Sequence, residues 1–328
     1  MPVRKLALIA LGLGVLCAVA AWRATSMRMP GEAFEGPPPA PSREERALAS
    51  ALERDVRALA VDIGERNDRR YPALVRARDH LEARLREVGL APERDGYEVN
   101  GLRVDTLFAD AGGGRLLLGA HYDSAIGSPG ANDNASGVAV VLALAEPLAA
   151  APPAGGVRIA LFPNEEPPHF ARPSMGSRVY AARAADRGEL PEGAIILDSV
   201  GYYADAPGSQ RFGVFWHSIV FGDRGDFVAF VSDARSEPLL RRSIEAFRRE
   251  ARVRSEGAVL SPRSRGASWS DHASFWAHGV PALLVTDTAA FRDPSYHQPT
   301  DDGHQIDYVA LARVTVALEA AIRAVEAE

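Results

Sequence analysis

Apolar residues recur along this chain at two different intervals. Leu48, Ala51, Leu52, Val56 and Leu59 return every three or four residues, the interval of one helix face. Ser42 and Glu45 stand just ahead of them in capping-box spacing, so a helix is predicted to start there. A second helical stretch covers 73–88 and stops at Gly89, a residue suited to a helix C-cap. The interval then changes. Residues 102–110 alternate, and 115–122 (RLLLGAHY) form a continuous apolar run, the mark of a strand buried on both faces. The Ala111-Gly112-Gly113-Gly114 segment between them predicts a hairpin turn. An Ala-rich helix over 136–150 follows, then strands at 157–162 (VRIALF) and 194–200 (AIILDSV), an amphipathic helix over 237–251, a strand at 281–286 and a closing helix over 306–325. Strands alternating with helices predict an α/β fold, a three-layer sandwich with a mostly parallel, mixed central sheet flanked by helices. Ligands of such sheets bind beyond the carboxyl ends of the strands.

The N-terminus carries a different pattern. Arg4 and Lys5 precede an unbroken apolar run from Leu6 to Trp22, which predicts an N-terminal membrane anchor or signal segment over 1–24. Trp22, an interfacial aromatic, favours retention, while Ala18-Val19-Ala20 offers a small-residue cleavage site. The domain that follows is therefore expected outside the cytoplasm, periplasmic or extracellular, either membrane-anchored or secreted after cleavage. Residues 25–43, with Gly36-Pro37-Pro38-Pro39-Ala40-Pro41, are expected to be a stiff Pro-rich linker. A single globular domain is expected over 44–328.

Composition narrows the chemistry. The 328 residues are 47% hydrophobic and 24% charged, with a net charge of −6. A pI near 5.8 gives no basic patch for nucleic acid, so no nucleic-acid partner is expected. The one cysteine, Cys17, lies inside the apolar run. No intramolecular disulfide and no thiolate metal site can be built. A metal would have to sit on His, Asp and Glu.

Those residues fall where the fold would use them. His121-Tyr122-Asp123 closes one buried strand, Glu165-Glu166 follows another, Asp198 closes a third, and His297 follows the strand at 281–286 by one loop. Asp133 lies in the segment GANDNASG, just before the apolar helix. Imidazole nitrogen and carboxylate oxygen are zinc ligands. Two ions a few ångströms apart need one bridging carboxylate and further ligands on each, which His121, Asp133, Glu166, Asp198 and His297 supply. Glu165 is left over as a general base. Asp123, on the same strand face as His121, is placed to accept from the second imidazole nitrogen.

The motifs H-x-D, GANDNASG, N-E-E, the L-D strand end, S-D-H-x-x-F and Y-H-x-P-x-D, in this order, resemble the co-catalytic di-zinc aminopeptidases of the bacterial leucyl aminopeptidase type, a family related to glutaminyl cyclases. The resemblance covers about residues 45–325. It implies two Zn2+ per chain, one held by His121 and Asp198, the other by Glu166 and His297, with Asp133 bridging and Glu165 moving protons. It further implies a cis peptide at Asp133–Asn134, peptide substrates and cleavage of N-terminal residues. One departure stands out. Where the family continues E-E-x-G-L-x-G-S, this chain inserts a proline-rich loop, 167–175, before Gly176-Ser177.

Other readings bear on particular residues. Ser270-Asp271-His272 looks like part of a hydrolytic triad but lacks the G-x-S-x-G elbow; Asp271 and His272 are expected to bind substrate, support the centre or cap a helix. His80, His217, His278 and His304 read as structural or surface residues, His169 as a loop residue, and Asp301-Asp302 as a turn and N-cap. Two rival functions remain: a glutaminyl cyclase-like enzyme with one zinc, and an inactive peptidase-like binding scaffold. Counting zinc per chain separates them.

Overall fold

A computed structural model describes residues 28–213 and 217–326. The elements used below are α1 (Arg43–Arg57), α2 (Tyr71–Glu87), β1 (Glu93–Val99), β2 (Leu102–Ala111), β3 (Leu116–His121), α3 (Gly137–Ala150), β4 (Val157–Phe162), α4 (Gly176–Arg187), β5 (Gly193–Leu197), β6 (Phe227–Ser232), α5 (Glu237–Glu250), β7 (Arg254–Val259), α6 (His272–Trp276), β8 (Ala282–Thr286) and α7 (Tyr308–Glu326). The strands form one eight-stranded sheet in the order β1-β2-β4-β3-β5-β8-β6-β7.

The middle of the sheet is parallel. β3 pairs with β4 on one side and β5 on the other, and β5 pairs with β8. Every residue of β3, β5 and β8 is buried, as expected of strands with helices on both faces. On one face α1, α3, α5 and α7 pack together over a large core that includes Leu118, Ile195, Phe230 and Leu283. On the other face α4 and α6 cover a smaller core of Leu117, Phe162, Ile196 and Phe275. A third cluster on Phe227, Ala229, Val231 and Leu284 is edged by loops.

The predicted hairpin at 111–114 does not form. β2 pairs antiparallel with β1 and β4, and β4 lies between β2 and β3. A β3 that is apolar on both faces needs a partner on each side, and β4 and β5 provide them. The glycines serve a crossing instead: a Cβ on Gly156 would lie 1.7 Å from the Gly113 nitrogen, and the amides of Gly114 and Arg115 donate to the Gly155 carbonyl. The remaining elements begin and end within a few residues of their expected positions. The capping box at Ser42 and Glu45 is present with both of its hydrogen bonds.

Residues 28–41 lie against the domain. Arg248 of α5 donates to the carbonyls of Met29, Pro30 and Gly31 at 3.1–3.2 Å, and Arg313 of α7 donates to that of Pro39 at 2.6 Å. The expected spacer is thus a docked strap over this stretch. No helix among the described residues is long and apolar enough to cross a membrane; the anchor expected over 1–24 lies outside them.

Candidate metal centre and substrate pocket

The carboxyl ends of β3, β4, β5 and β8 point to one side of the sheet, and the acidic and imidazole side chains converge there. His121, the last residue of β3, is 1% exposed. Its Nε2 lies 3.2 Å from Asp133 Oδ1, 3.6 Å from Asp198 Oδ1 and 4.0 Å from Glu165 Oε2. His297 Nε2 lies 3.1 Å from Asp133 Oδ2 and 3.1 Å from Glu166 Oε2. Two trios result, His121-Asp133-Asp198 and Asp133-Glu166-His297, with potential ligand atoms within 4.8 Å of one another. Asp133 belongs to both and offers one oxygen to each.

These atoms fit a metal better than they fit one another. His121 Nδ1 and Nε2, Glu166 Oε1 and His297 Nε2 are buried, and none is in a hydrogen bond of proper geometry. Buried polar atoms left unpaired are costly, so donors aimed at a shared space point to a cation there. Charge says the same. Burial pushes the Glu165 carboxyl well above the usual range, and the nearby charges of Asp198, Glu166 and Asp271 push it further, against the pull of His121. Burial together with Asp133 raises Glu166 to about 7. Burial would lower His297, but Asp133 and Glu166 raise it to about 10. The crowded carboxylates thus draw protons onto themselves and onto the imidazoles, a demand for positive charge that Zn2+ would meet.

Several short motifs hold these side chains in place. Asp123 accepts from the backbone amides of both Glu165 and Glu166, at 3.0 and 3.1 Å, and its Oδ1 lies 3.4 Å from His121 Nδ1. Asn134 Oδ1 accepts from the Gly137 and Ser199 amides, and its Nδ2 donates to the Leu197 carbonyl at 2.8 Å. That fixes the Asp133 loop to the end of β5. A Cβ on Gly137 would fall 2.3 Å from Asn134 Oδ1, so the glycine of GANDNASG makes room for this staple. The Asp133–Asn134 peptide is cis, as the resemblance implies. Three non-glycine residues just past strand ends, Asn164, Ser199 and Thr288, and His297 in a later loop have φ between 51° and 66°, a concentration of left-handed backbone found at functional sites.

Two supports were not foreseen. Asp301, expected in a turn and cap, is fully buried, and accepts from the amides of Asn132 at 2.7 Å and Asp133 at 3.1 Å. It orients the shared carboxylate, and burial raises its own carboxyl to about 7. Its place in Y-H-x-P-x-D was the available signal. Arg66 is also wholly buried and donates to the carbonyls of Tyr122 and Gly130, holding the chain on both sides of the centre.

Asp271 and His272 are both fully buried. Asp271 lies within electrostatic reach of His121, Asp123 and Asp198; burial lifts its carboxyl to about 7 against the pull of His121 and the nearby Ser177 hydroxyl, and neither oxygen is in a hydrogen bond of proper geometry. His272 Nε2 instead meets the Ala267 carbonyl at 2.8 Å, and burial lowers it to about 4, so it is a neutral, loop-holding imidazole. His169 meets Ser174 Oγ at 3.0 Å and Asp68 Oδ2 at 3.1 Å, pinning the inserted loop to the body.

Beside Asp198 and Tyr296 opens an apolar cavity of about 130 Å³. Phe212, Phe227, Val231, Leu260, Leu284 and Phe291 are among its lining residues. It occupies the part of the second sheet face edged by loops, and Trp269 stacks on Phe291 at its rim, with ring centroids 5.9 Å apart. Its size is near the roughly 150 Å³ that holds a benzene ring.

The profile of peptidase family M28 matches residues 107–322, from β2 into α7. The chain belongs to peptidase family M28. The protein YfbL of Escherichia coli (strain K12), described as uncharacterized, is 33% identical over 84% of this chain and 87% of its own length. An aminopeptidase of Pseudomonas aeruginosa (strain PAO1) is 33% identical over 165 residues, half of this chain but only 27% of that protein. The fold of this M28 chain is shared by the crystal structure of Fimbriiglobus ruber glutaminyl cyclase, with a TM-score of 0.61 at 20% identity over 88% of this chain and 99% of that one.

Proposed function

We propose that this M28 peptidase is a zinc-dependent aminopeptidase acting on peptide N-termini. The observation that carries the reading is the double use of Asp133, one oxygen toward His121 and the other toward His297. In this reading His121 and Asp198 hold one Zn2+, Glu166 and His297 a second, and Asp133 both. When bound, the two ions supply Lewis acidity that polarises the peptide carbonyl and makes water acidic near neutral pH. The protein does the rest. Glu165, raised by burial and beside His121, accepts a proton from water and returns it to the leaving amine. Asp123 fixes the position of Glu165 through its backbone amide. The buried carboxyl of Asp271 adds to the charge that raises Glu165. The apolar cavity beside Asp198 takes the N-terminal side chain and excludes water around it.

The His121-Asp133-Asp198 trio favours this reading over a one-zinc glutaminyl cyclase, in which a single ion on Asp133, Glu166 and His297 would leave His121 and Asp198 without a role. It also opposes an inactive scaffold, since every expected ligand is present. The apolar run before the strap supports an anchor in a membrane, with the domain outside the cytoplasm. The deciding experiment pairs zinc analysis with hydrolysis of amino-acid anilides. Two ions per chain and cleavage of unblocked substrates are expected. Glu165→Gln is expected to retain both ions and lose about 10²- to 10⁴-fold in kcat. A single ion with cyclisation of glutaminyl peptides would replace this reading by the cyclase, and near-normal turnover by Glu165→Gln would remove Glu165 from the mechanism.

A further inference from the structure

The strap leading into the domain lies directly behind one wall of the pocket. β7 is an edge strand, hydrogen-bonded to β6 alone. Glu256, Gly257 and Ala258 in its middle line the cavity. On the other side of the strand, toward α5, sits Met29. A Cβ built on Gly257 would fall 2.5 Å from Met29 Cγ, 2.9 Å from its sulfur and 3.0 Å from Ile244 Cδ1. The thioether thus occupies the space a side chain at 257 would need. Arg248 ties the same parts together by a second route. Its Nη1 donates to the Met29, Pro30 and Gly31 carbonyls, while Nη2 and Nε donate to the Ser255 carbonyl and Oγ of β7, at 2.9 and 3.2 Å. Gly31 turns through φ 71° with its Cβ position 3.4 Å from Arg248 Cβ, so the strap follows the helix surface closely.

We propose that Met29 and the Arg248 clamp position β7 as the outer wall of the substrate pocket, which makes residues 28–31 specificity-determining. The proposal rests on the reading of the cavity as the seat of the N-terminal side chain. A strand with a ladder on one side only is held in place by what backs it. With the Met29 side chain cut back, β7 has room to relax toward α5, the pocket widens, and large side chains lose their fit. Close packing makes such a change felt. A methyl group at 257 refills the part of the lost volume that lies against β7, and fits only when Met29 has been shortened. It follows that a leader removed after Ala20 leaves the pocket intact, whereas cleavage beyond Gly31 alters selectivity.

The test uses the zinc-loaded full chain and four proteins: wild type, Met29→Ala, Gly257→Ala and the double variant. KM and kcat are measured on alanyl, leucyl and phenylalanyl anilides, and phenethylamine affinity by calorimetry. Met29→Ala is expected to raise KM for leucyl and phenylalanyl substrates about fivefold to tenfold relative to alanyl, without changing kcat on the alanyl substrate. Gly257→Ala also shifts the ratio, by collision with Met29. The double variant returns to within about twofold of wild type, and a fifth protein added as a conservative control, Met29→Leu, keeps the wild-type ratio. Unchanged ratios, equal losses on all substrates, or a double variant no better than the worse single one would overturn the proposal. If wild type cleaves none of the anilides, the aminopeptidase reading fails instead; the four phenethylamine affinities then decide, and a flat series overturns the proposal.

Discussion

The metal centre and the pocket beside it are built on contrasting principles. The centre stands on the parallel middle of the sheet, where β3, β5 and β8 are buried throughout. Its polar atoms are positioned by short loops and by carboxylates that accept from backbone amides. The pocket stands on the outer part of the sheet, where β6 and β7 run antiparallel to β8. Its wall is formed by β7, which the strap and α5 back, and by loops around 212, 265 and 291. Fixed central strands suit reacting groups, which tolerate little displacement. A wall on an edge strand can change its lining without moving a single ligand. On the proposed reading chemistry and selectivity are separable, and variants of one region should leave the other intact.

The largest test of that separation removes the shared ligand. Asp133→Ala should abolish two-zinc stoichiometry and turnover on every substrate. It should also erase the thermal stabilisation that zinc gives wild type, about 2.7 kcal/mol at a hundredfold excess over its dissociation constant. Calorimetry with and without metal measures both. Next comes His272, which holds Ala267 at the pocket. Its folded pKa, pushed down to about 4 by burial, lies below the unfolded value of 6.5, so the unfolded chain binds the extra proton first. Stability is therefore retained above about pH 6.5 and lost as pH falls toward 4, by about 3 kcal/mol. His272→Gln should remove that part of the acid sensitivity, seen as the wild-type-minus-variant difference in unfolding free energy across this range. Equal slopes would show that this imidazole is not buried neutral. Filling the pocket with Ala258→Phe should lower kcat/KM for leucyl and phenylalanyl substrates about 10- to 200-fold, with zinc content and alanyl turnover retained. Loss of zinc would break the separation. Smallest is Ser42→Ala, which removes the capping box of α1 and should cost about 1 kcal/mol of stability with no effect on either region.

The same division governs what the amino-acid sequence makes legible. The buried middle strands are apolar runs ended by a charged or imidazole residue, so both the strand and its functional tip can be read. The edge strands cannot. β1 reads ERDGYEV and β7 reads RSEGAV, charged sequences of the kind that protects an edge from pairing, with no apolar alternation to detect. Asp301 was legible as part of a motif, but its partners, the amides of Asn132 and Asp133, lie 169 and 168 positions away, and a turn was the local reading. The misread hairpin has a related cause. Ala111–Gly114 has turn composition, but a chain crossing past Gly155 and Gly156 needs small residues just as much. Met29 gave no signal, since a methionine in a proline-rich stretch looks like linker.

Asp123 carries a consequence for experiment. Its two oxygens hold the amide protons of Glu165 and Glu166 at the seam between β3 and β4. Those two protons can exchange with solvent only when the seam opens, so their exchange times act as a clock built into the site. Followed by nuclear magnetic resonance in metal-free and zinc-loaded protein, the pair would report how often the empty centre comes apart and how far loading slows it, with no substrate present.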